Sequence, residues 1–353
     1  MTNVTVLIPA HNEGDCIAST LKSVAEQSAW IHEVWVVADN CTDDTAEIAR
    51  AHHAHVMETV GNRDLKAGAL NQMLGRLLPS LDDDDLVLIM DADSHLTRDF
   101  VRSAIQTLRE NPDAGAICAT YGGEDHRRGM VHVLQRAEYS RCMRTLSRKG
   151  AKATVLSGVA TLFTMGILRE ILAAREAGTL PAAPGVYDTT CSTEDIEITF
   201  AVRKLGYSPI APKACFVWTD TMNDWRSFIS QRIRWQRGML DALRLYGWTK
   251  QTNFYIWRML GIYVGSFLPL LYLGLLGFQY FGRGHITIVP LWLLVIPLFI
   301  FDRWWTVRRM GWREKLVGSL LFPEWCYDVF RSGIYWFTLW RWVRRTERVW
   351  IPT

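Results

Sequence analysis

Three short groups of residues in this chain have side chains that could carry chemistry. Asp91 and Asp93 form an acidic pair that suits a hard divalent cation such as Mg²⁺ or Mn²⁺. Asp195 follows about 100 residues later, where a carboxylate could serve as a base. The segment 231–235 then places an Arg guanidinium, which can donate two parallel hydrogen bonds, beside a Trp ring. This combination suits a ligand that has an anionic group next to a flat ring. Each group by itself is a weak indication of function, and the occurrence of all three in one chain is a stronger one.

The acidic pair follows an apolar run. Residues 85–90 read Asp-Leu-Val-Leu-Ile-Met, which is typical of a buried parallel strand. The pair would then lie at the carboxyl end of that strand, where open α/β sheets bind ligands. A solvated turn between strand and helix is the alternative, because Asp is common in such turns.

Asp195 stands at a predicted helix start. Thr193 is placed to cap a helix, and Glu194 and Asp195 would occupy its first turn, with the helix continuing to Gly206. Acidic residues stabilise helix starts without any catalytic role, so capping alone is the competing interpretation.

Residues 224–246 place apolar side chains on one face of a predicted helix. Gln231, Arg234 and Trp235 lie within it. The planar guanidinium of Arg offers a forked donor for phosphate oxygens, and Trp offers a flat apolar wall. The alternative is an interfacial helix whose Arg and Trp lie among lipid headgroups.

The amino-terminal part alternates strand, turn and helix. Residues 4–8 and 33–37 are apolar runs, each followed by a polar turn and a predicted helix, which indicates an α/β fold with a parallel sheet. Gly-x-Gly-x-x-Gly and P-loop motifs are absent, so a dinucleotide-dependent oxidoreductase or an NTPase lacks its phosphate-binding turn. The seven cysteines show no close pairs, which argues against a zinc site or a disulfide framework and favours a reducing, cytosol-facing domain.

Four stretches of the chain together resemble motifs of the membrane-bound family 2 glycosyltransferases, the group that includes cellulose, chitin and hyaluronan synthases. They are Lys-Ala-Gly-Ala-Leu-Asn at 66–71, Asp-Ala-Asp at 91–93, Thr-Glu-Asp at 193–195 and Gln-x-x-Arg-Trp at 231–235. The resemblance covers roughly residues 1–250. It implies a GT-A (nucleotide-diphospho-sugar transferase) fold and metal-dependent, inverting transfer of a sugar from a UDP-linked donor to an acceptor hydroxyl. Mg²⁺ or Mn²⁺ would be the cofactor, and a glycan, lipid or protein the acceptor.

The resemblance also implies roles for single residues. Asp195 would be the catalytic base and Glu194 would orient the acceptor, while Asp93 and Asp91 would hold the metal. His11 stands where many members have Tyr, which leaves the stacking role there open. The residues expected to bind the donor are Ala10, Glu13, Asp39, Lys66, Asp91, Gln231, Arg234 and Trp235.

Composition changes near residue 250. Residues 251–353 hold 12 Lys and Arg against 5 Asp and Glu, whereas the net charge of the whole chain is only +3. This basic excess suits anionic lipid headgroups, and no nucleic-acid partner is expected. We predict a cytosolic GT-A domain over residues 1–250 and a carboxyl-terminal membrane region over 251–353, with transmembrane spans at about 257–281 and 285–302.

Charge also predicts how the membrane region is oriented. The loop 282–285 has one Arg and the segment 302–315 has four, which puts the loop outside and both flanks inside. The stretch 316–340 contains Pro and several charges, so we expect interfacial helices there. The sequence opens on a strand, so no signal peptide or leading span is expected. The prediction is a multi-pass cell-membrane protein whose catalytic domain faces the cytoplasm.

Two other functions stay open. A processive polysaccharide or oligosaccharide synthase is favoured by the motif pair at 193–195 and 231–235, while the small number of predicted spans argues against a translocating channel. A non-catalytic membrane scaffold would use the acidic residues only for capping and solubility. Chelator-sensitive hydrolysis of the donor would separate an enzyme from a scaffold.

Overall fold

The computed structural model describes residues 3–124, 129–148, 150–287 and 290–345. The chain divides into two compact units. The first comprises Met1–Glu124, Met143–Asp220 and Arg244–Tyr246, and the second comprises Asp125–Cys142, Thr221–Leu243 and Gly247–Thr353. The second unit therefore combines the carboxyl-terminal region with two segments from the interior of the sequence.

All strands of the described residues belong to the first unit. In chain order they are β1 (Val4–Ala10), β2 (Glu33–Ala38), β3 (His55–Glu58), β4 (Leu86–Met90), β5 (Ser94–Leu96), β6 (Ala116–Cys118), β7 (Thr120–Gly123), β8 (Ala160–Thr164) and β9 (Phe216–Thr219). The main sheet has the order β3-β2-β1-β4-β8-β6, and a smaller sheet has the order β5-β9-β7.

The helices of the described residues occur in both units. They are α1 (Ile17–Ala25), α2 (Thr45–Ala51), α3 (Leu65–Leu77), α4 (Phe100–Glu110), α5 (Met130–Arg148), α6 (Met165–Glu176), α7 (Glu194–Lys204), α8 (Trp225–Tyr246), α9 (Lys250–Arg283), α10 (Pro290–Val307), α11 (Trp312–Leu320) and α12 (Phe322–Val343). A short 3₁₀ turn lies at Pro112–Ala114.

The three predicted strands and their parallel pairing are confirmed. β1 pairs in parallel with β2 and with β4, and every residue of β1 and β4 is buried. Burial on both faces is the reason why these strands are unbroken apolar runs. The sheet is mixed, however, because β8 pairs antiparallel with β4 and with β6. The sequence patterns did not predict these two additional strands.

The two predicted helix starts that carry acidic residues are confirmed, but their caps differ. α7 begins at Glu194 after Thr193, yet the Thr193 side chain makes no capping bond, and its buried Oγ1 has no hydrogen-bond partner within the described part of the chain. α8 begins after Asp224, whose carboxylate accepts from the backbone N–H groups of Arg226 and Ser227. Of these two helix starts, only that of α8 is capped by the side chain of its N-cap residue.

The second unit contains a long apolar helix. α9 starts with a capping box between Thr249 and Thr252 and ends before Gly284, whose φ of 69° is the left-handed conformation that favours glycine. Among the described residues this is the one helix long and apolar enough to cross a bilayer by length and composition. α10 contains Pro297, and the predicted second span, 285–302, falls partly on residues outside the described range. That span stays a prediction.

Candidate active site

Three segments far apart in the sequence meet at one lysine. Lys66, in the first turn of α3, has its Nζ 2.5 Å from Asp91 Oδ1 and 3.1 Å from Glu194 Oε1. Burial alone would lower the pKa of Lys66, but the two carboxylates outweigh it and the pKa is raised. The ammonium group therefore stays charged and links the residues after β4 to the start of α7.

Glycine and amide contacts make this approach possible. A Cβ at Gly158 would lie 3.0 Å from Lys66 Nζ, so a larger residue there would push the ammonium aside. Asn71 accepts from the backbone N–H of Tyr187 at 2.8 Å and donates to its carbonyl at 2.8 Å. These reciprocal bonds tie α3 to the loop that leads into α7, which fixes the position of Glu194 relative to Lys66.

Asp195 lines the same cavity as Lys66 and Glu194. One carboxylate oxygen accepts the backbone N–H of Ile196 at 2.8 Å. Burial, and after it the neighbouring charge of Glu194, raises the pKa of Asp195 to about 7, although Lys66 partly offsets both. A carboxylate with a pKa close to neutral is well matched to accepting a proton at physiological pH.

Asp93 stands among other acidic residues. Burial, together with the charges of Asp91, Glu13 and Asp220, raises the pKa of Asp93 to about 7. Ser94 donates a hydrogen bond to the carboxylate at 3.2 Å. A divalent cation would relieve the repulsion among these carboxylates, so the donor set fits a hard metal ion.

The described residues contain no group of three or more His, Cys, Asp or Glu side chains arranged to hold a metal ion. Two carboxylates remain compatible with a cation such as Mg²⁺, which keeps several waters and binds through one or two carboxylates plus phosphate oxygens.

The predicted nucleoside-binding residues lie at the carboxyl ends of β1 and β2. The backbone N–H of Asp39 donates to the Ala10 carbonyl at 2.8 Å, and the Asp39 carbonyl lies 2.6 Å from His11 Nδ1. Asp39 Oδ1 accepts from Thr59 at 2.7 Å and from Asn62 at 2.8 Å, so a nucleoside would be met by the other oxygen.

Glu13 lies near the acidic pair. Its backbone N–H donates to Thr45 Oγ1 at 2.8 Å, and its carboxylate accepts from the Cys16 thiol at 3.1 Å. Burial raises the pKa of Glu13, the thiol partly offsets this, and the charge of Asp91 raises it again. Glu13 thus belongs to the same electrostatic cluster as Asp91 and Asp93.

Gln231, Arg234 and Trp235 lie on α8, within the second unit. Gln231 is buried, and its Oε1 has no hydrogen-bond partner in the described part of the chain. The same holds for the buried Nε of Arg234. A buried polar atom without a partner costs free energy, so such atoms are candidates for contact with a ligand. Trp235 lies against Arg232, whose guanidinium carbon is 4.5 Å from the indole centroid.

Sequence reasoning missed three residues near these groups. Asp220 directly follows β9, and the same strand-end signal that selected Asp91 could have identified it. Arg232 lies inside the 231–235 motif, and Glu138, its ion-pair partner at 2.9 Å, is 94 residues away in sequence. No local pattern connects those two positions.

The mixed α/β sheet, with acidic residues along one edge, defines a GT-A fold. A family model described as "Glycosyltransferase like family 2" matches residues 2–238. Because this match covers well over half of the sequence, the chain belongs to that family. The protein is therefore a glycosyltransferase with an α/β GT-A fold.

Two relatives similar in sequence are named as polysaccharide synthases. The chain is 22% identical over 350 residues to the poly-β-1,6-N-acetyl-D-glucosamine synthase of Staphylococcus epidermidis RP62A, covering 91% of this chain and 78% of that protein. The synthase of the same name from Staphylococcus aureus MSSA476 is 23% identical over 248 residues, which are 69% of this chain and 56% of the relative.

One solved structure is similar over nearly the whole chain. It is a mannosyltransferase from Pyrobaculum calidifontis in complex with GDP-Man and Mn²⁺, with a TM-score of 0.58 and 18% sequence identity. The match covers 98% of this chain and 88% of the mannosyltransferase. At this identity the likeness establishes the fold.

Proposed function

We propose that this protein is a membrane-anchored, inverting glycosyltransferase that moves a sugar from a UDP-linked donor to an acceptor hydroxyl at the cytosolic membrane face. The observation that carries the proposal is the contact of Lys66 with both Asp91 and Glu194, in the cavity that Asp195 also lines. It brings a group suited to diphosphate next to a carboxylate suited to proton transfer.

Asp195 acts as the base in this proposal. As the acceptor oxygen bonds to the anomeric carbon, its proton passes to the Asp195 carboxylate, and the bond from that carbon to the diphosphate breaks. UDP leaves with the bonding electrons. Attack from the side opposite the leaving group inverts the anomeric configuration, and Glu194 orients the acceptor hydroxyl beside the base.

Asp93 and Asp91 would hold Mg²⁺ or Mn²⁺. When bound, such a cation supplies positive charge that stabilises the departing diphosphate. The crowding of acidic residues around Asp93 and the Mn²⁺ in the similar mannosyltransferase structure support this assignment. Lys66 adds a fixed positive charge beside Asp91.

The 231–235 motif supplies the remaining contacts. Arg234 donates to a phosphate oxygen through its Nε, and Gln231 Oε1 accepts from a hydroxyl of the donor sugar; neither atom has a hydrogen-bond partner among the described residues. The Trp235 ring supports the acceptor sugar. Ala10, Glu13 and Asp39 contact the nucleoside. The donor assay also includes GDP-mannose, because the similar mannosyltransferase structure contains GDP-Man.

The direct experiment incubates membranes containing the protein with radiolabelled UDP-N-acetylglucosamine, UDP-glucose and GDP-mannose, with and without a chelator. We expect metal-dependent transfer from a UDP-sugar. Transfer that persists in excess chelator would overturn the metal assignment, and absence of both transfer and donor hydrolysis with every sugar would favour the scaffold.

A processive synthase is the second candidate. It is supported by the similarity to poly-β-1,6-N-acetyl-D-glucosamine synthase across 91% of this chain. Sizing the radiolabelled product decides between the two activities. A single added sugar supports the first proposal, and a polymer of N-acetylglucosamine formed without released intermediates supports the second.

Membrane anchoring rests on α9. Residues 1–250 would face the cytoplasm and 251–353 would form a multi-pass anchor in the cell membrane. Large apolar side chains are exposed along α9, among them Phe254, Trp257, Leu260, Val264, Leu271 and Phe278. Their exposure to water would be costly, and a lipid bilayer would bury them.

The whole chain is used to test the anchor. Cutting at residue 250 would remove Tyr327 and Arg331, which contact Glu138, and would disturb folding as well as anchoring. We expect the intact protein to stay in the membrane pellet after alkaline carbonate washing. In a cysteine-free background, His285→Cys should react with an impermeant maleimide only from outside the cell. Release by carbonate, or labelling only from the cytoplasm, would contradict the proposed arrangement.

A further inference from the structure

Glu138 is the centre of a buried charge cluster in the second unit. Its carboxylate accepts from Arg232 at 2.9 Å, from Arg331 at 2.6 Å and from the Tyr327 hydroxyl at 2.5 Å. Glu138 lies on α5, Arg232 on α8, and the other two on α12. One carboxylate therefore links three helices.

The cluster is strongly held. Burial would raise the pKa of Glu138, but the two guanidinium groups outweigh it and the pKa is lowered, so the carboxylate stays ionised. Arg232 is 4% exposed. Moving its guanidinium away would leave a buried charge with fewer partners, which is costly.

Arg232 also contacts two aromatic rings on its own helix. Its guanidinium carbon lies 4.8 Å from the Phe228 centroid and 4.5 Å from the Trp235 centroid. Residues spaced by three or four positions share a face of a helix, so the contacts follow from the spacing of 228, 232 and 235. At these distances the guanidinium attracts the ring faces.

We propose that Arg232, held in place by Glu138, is a positioning residue that fixes the orientation of the Trp235 indole for the acceptor sugar. This inference rests on the proposed role of Trp235 in acceptor binding. A guanidinium over one face of the indole restricts the rotation of the ring and directs a sugar to its opposite face. The bound orientation is thereby present before the acceptor arrives, which reduces the entropy lost on binding.

Arg331 provides a matched control. It is the second guanidinium partner of Glu138, but its ring contacts are with Tyr327 and Tyr335 rather than with Trp235. If the cluster only stabilises the fold, Arg232→Met and Arg331→Met should affect the same properties. If Arg232 positions Trp235, only Arg232→Met should weaken acceptor binding.

The experiment measures kcat, the KM for acceptor and the Kd for UDP in the full-length protein carrying Arg232→Met, Arg331→Met, Trp235→Leu or Arg232→Met with Trp235→Leu. We expect Arg232→Met to raise the acceptor KM about fivefold and to leave the Kd for UDP within about twofold. Arg331→Met should leave both constants near those of the wild type. The double variant should match Trp235→Leu alone, because the second change removes the ring that Arg232 positions.

Arg232→Lys covers the case in which Arg232→Met does not fold. Lysine keeps the charge for Glu138 but lacks the planar group, so the acceptor KM should still rise, by about twofold. Equal acceptor KM values in the Arg232 and Arg331 variants, or independent effects of the Arg232 and Trp235 changes, would overturn the inference alone. If Trp235→Leu itself leaves the acceptor KM unchanged, the acceptor role of Trp235 fails, and the inference fails with it.

Discussion

Two charged clusters, one in each unit of the molecule, are built in opposite ways. In the first unit Asp93 is surrounded by Asp91, Glu13 and Asp220, and its pKa is raised to about 7. In the second unit Glu138 is paired with two guanidinium groups, and its pKa is lowered. Matched charges are what a stable interior requires, whereas crowded like charges cost free energy. The difference therefore separates a region organised for a cationic or reacting ligand from one organised for architecture.

The largest expected effect is on catalysis in the first unit. Asp195→Asn should lower kcat about a thousandfold, because a general base contributes mainly in the transition state, and should leave the Kd for UDP within about twofold. Arg234→Ala should instead weaken UDP binding about tenfold as well as lowering the rate. Transfer rates and UDP titrations of both variants test this.

Asp99→Asn is the matched control for Asp195→Asn, since Asp99 is an exposed acidic residue preceding α4. It should behave as the wild type. If Asp195→Asn keeps near-normal transfer, or loses UDP binding as severely as Arg234→Ala, the base assignment is wrong and Glu194 becomes the next carboxylate to test.

The second effect is on stability in the second unit. Glu138→Gln should lower the free energy of unfolding by about 3 kcal/mol, because it leaves two guanidinium groups without their buried counter-charge. Glu58→Gln, which breaks the exposed ion pair with Arg50, should cost less than about 1 kcal/mol. Chemical denaturation in detergent measures both. A Glu138→Gln protein as stable as the Glu58→Gln protein would remove the contrast between matched and crowded charge.

The third effect is the pH dependence of turnover. Asp195 must be ionised to accept a proton, and its pKa is raised to about 7. With saturating substrates kcat should therefore rise about tenfold between pH 6 and pH 8 and level off above that range. A kcat that is flat across this range would show that Asp195 is already ionised at pH 6 or is not the base.

The smallest expected effect is the change in the free energy of unfolding when Asp93 is substituted. Its sign is opposite to that expected for the Glu138 substitution. A folded-state pKa raised from 3.8 to about 7 means that the native protein loses stability as pH rises from about 4 to about 7. In chelator at pH 8, Asp93→Asn should therefore raise the free energy of unfolding, by on the order of 1 kcal/mol. The same variant should lose metal-dependent donor binding. A destabilised Asp93→Asn protein would mean that the acidic cluster supports the fold rather than a ligand.

Much of the fold was predictable from local patterns. The largely apolar runs at 4–8, 33–37 and 85–90 predicted β1, β2 and β4, because a strand in the middle of a covered sheet buries side chains on both faces. The apolar residues at 224–246 recur at the spacing of one helix face, and this periodicity predicted α8. The position of Asp91 after β4 followed directly from the strand that precedes it.

The antiparallel strands were not predictable in the same way. β8 is largely buried, and its direction is set by its pairing with β4, 70 or more residues earlier. The Asp220 position was visible as a strand end, but its closeness to Asp93 depends on how distant parts of the chain come together. The number of residues between two positions does not specify their distance in the folded protein.

The sequence by itself determined which residue types were present for chemistry, that β1, β2, β4, α7 and α8 would form, and that Asp91 and Asp93 would follow a strand. The tertiary structure decided that Lys66 contacts Asp91 and Glu194, and that Glu138 holds Arg232. The physical reason is the separation in sequence between the residues that interact. Local structure follows from backbone preference and the periodic burial of nearby side chains, whereas a charge finds its partner only after segments separated by many residues have been packed together.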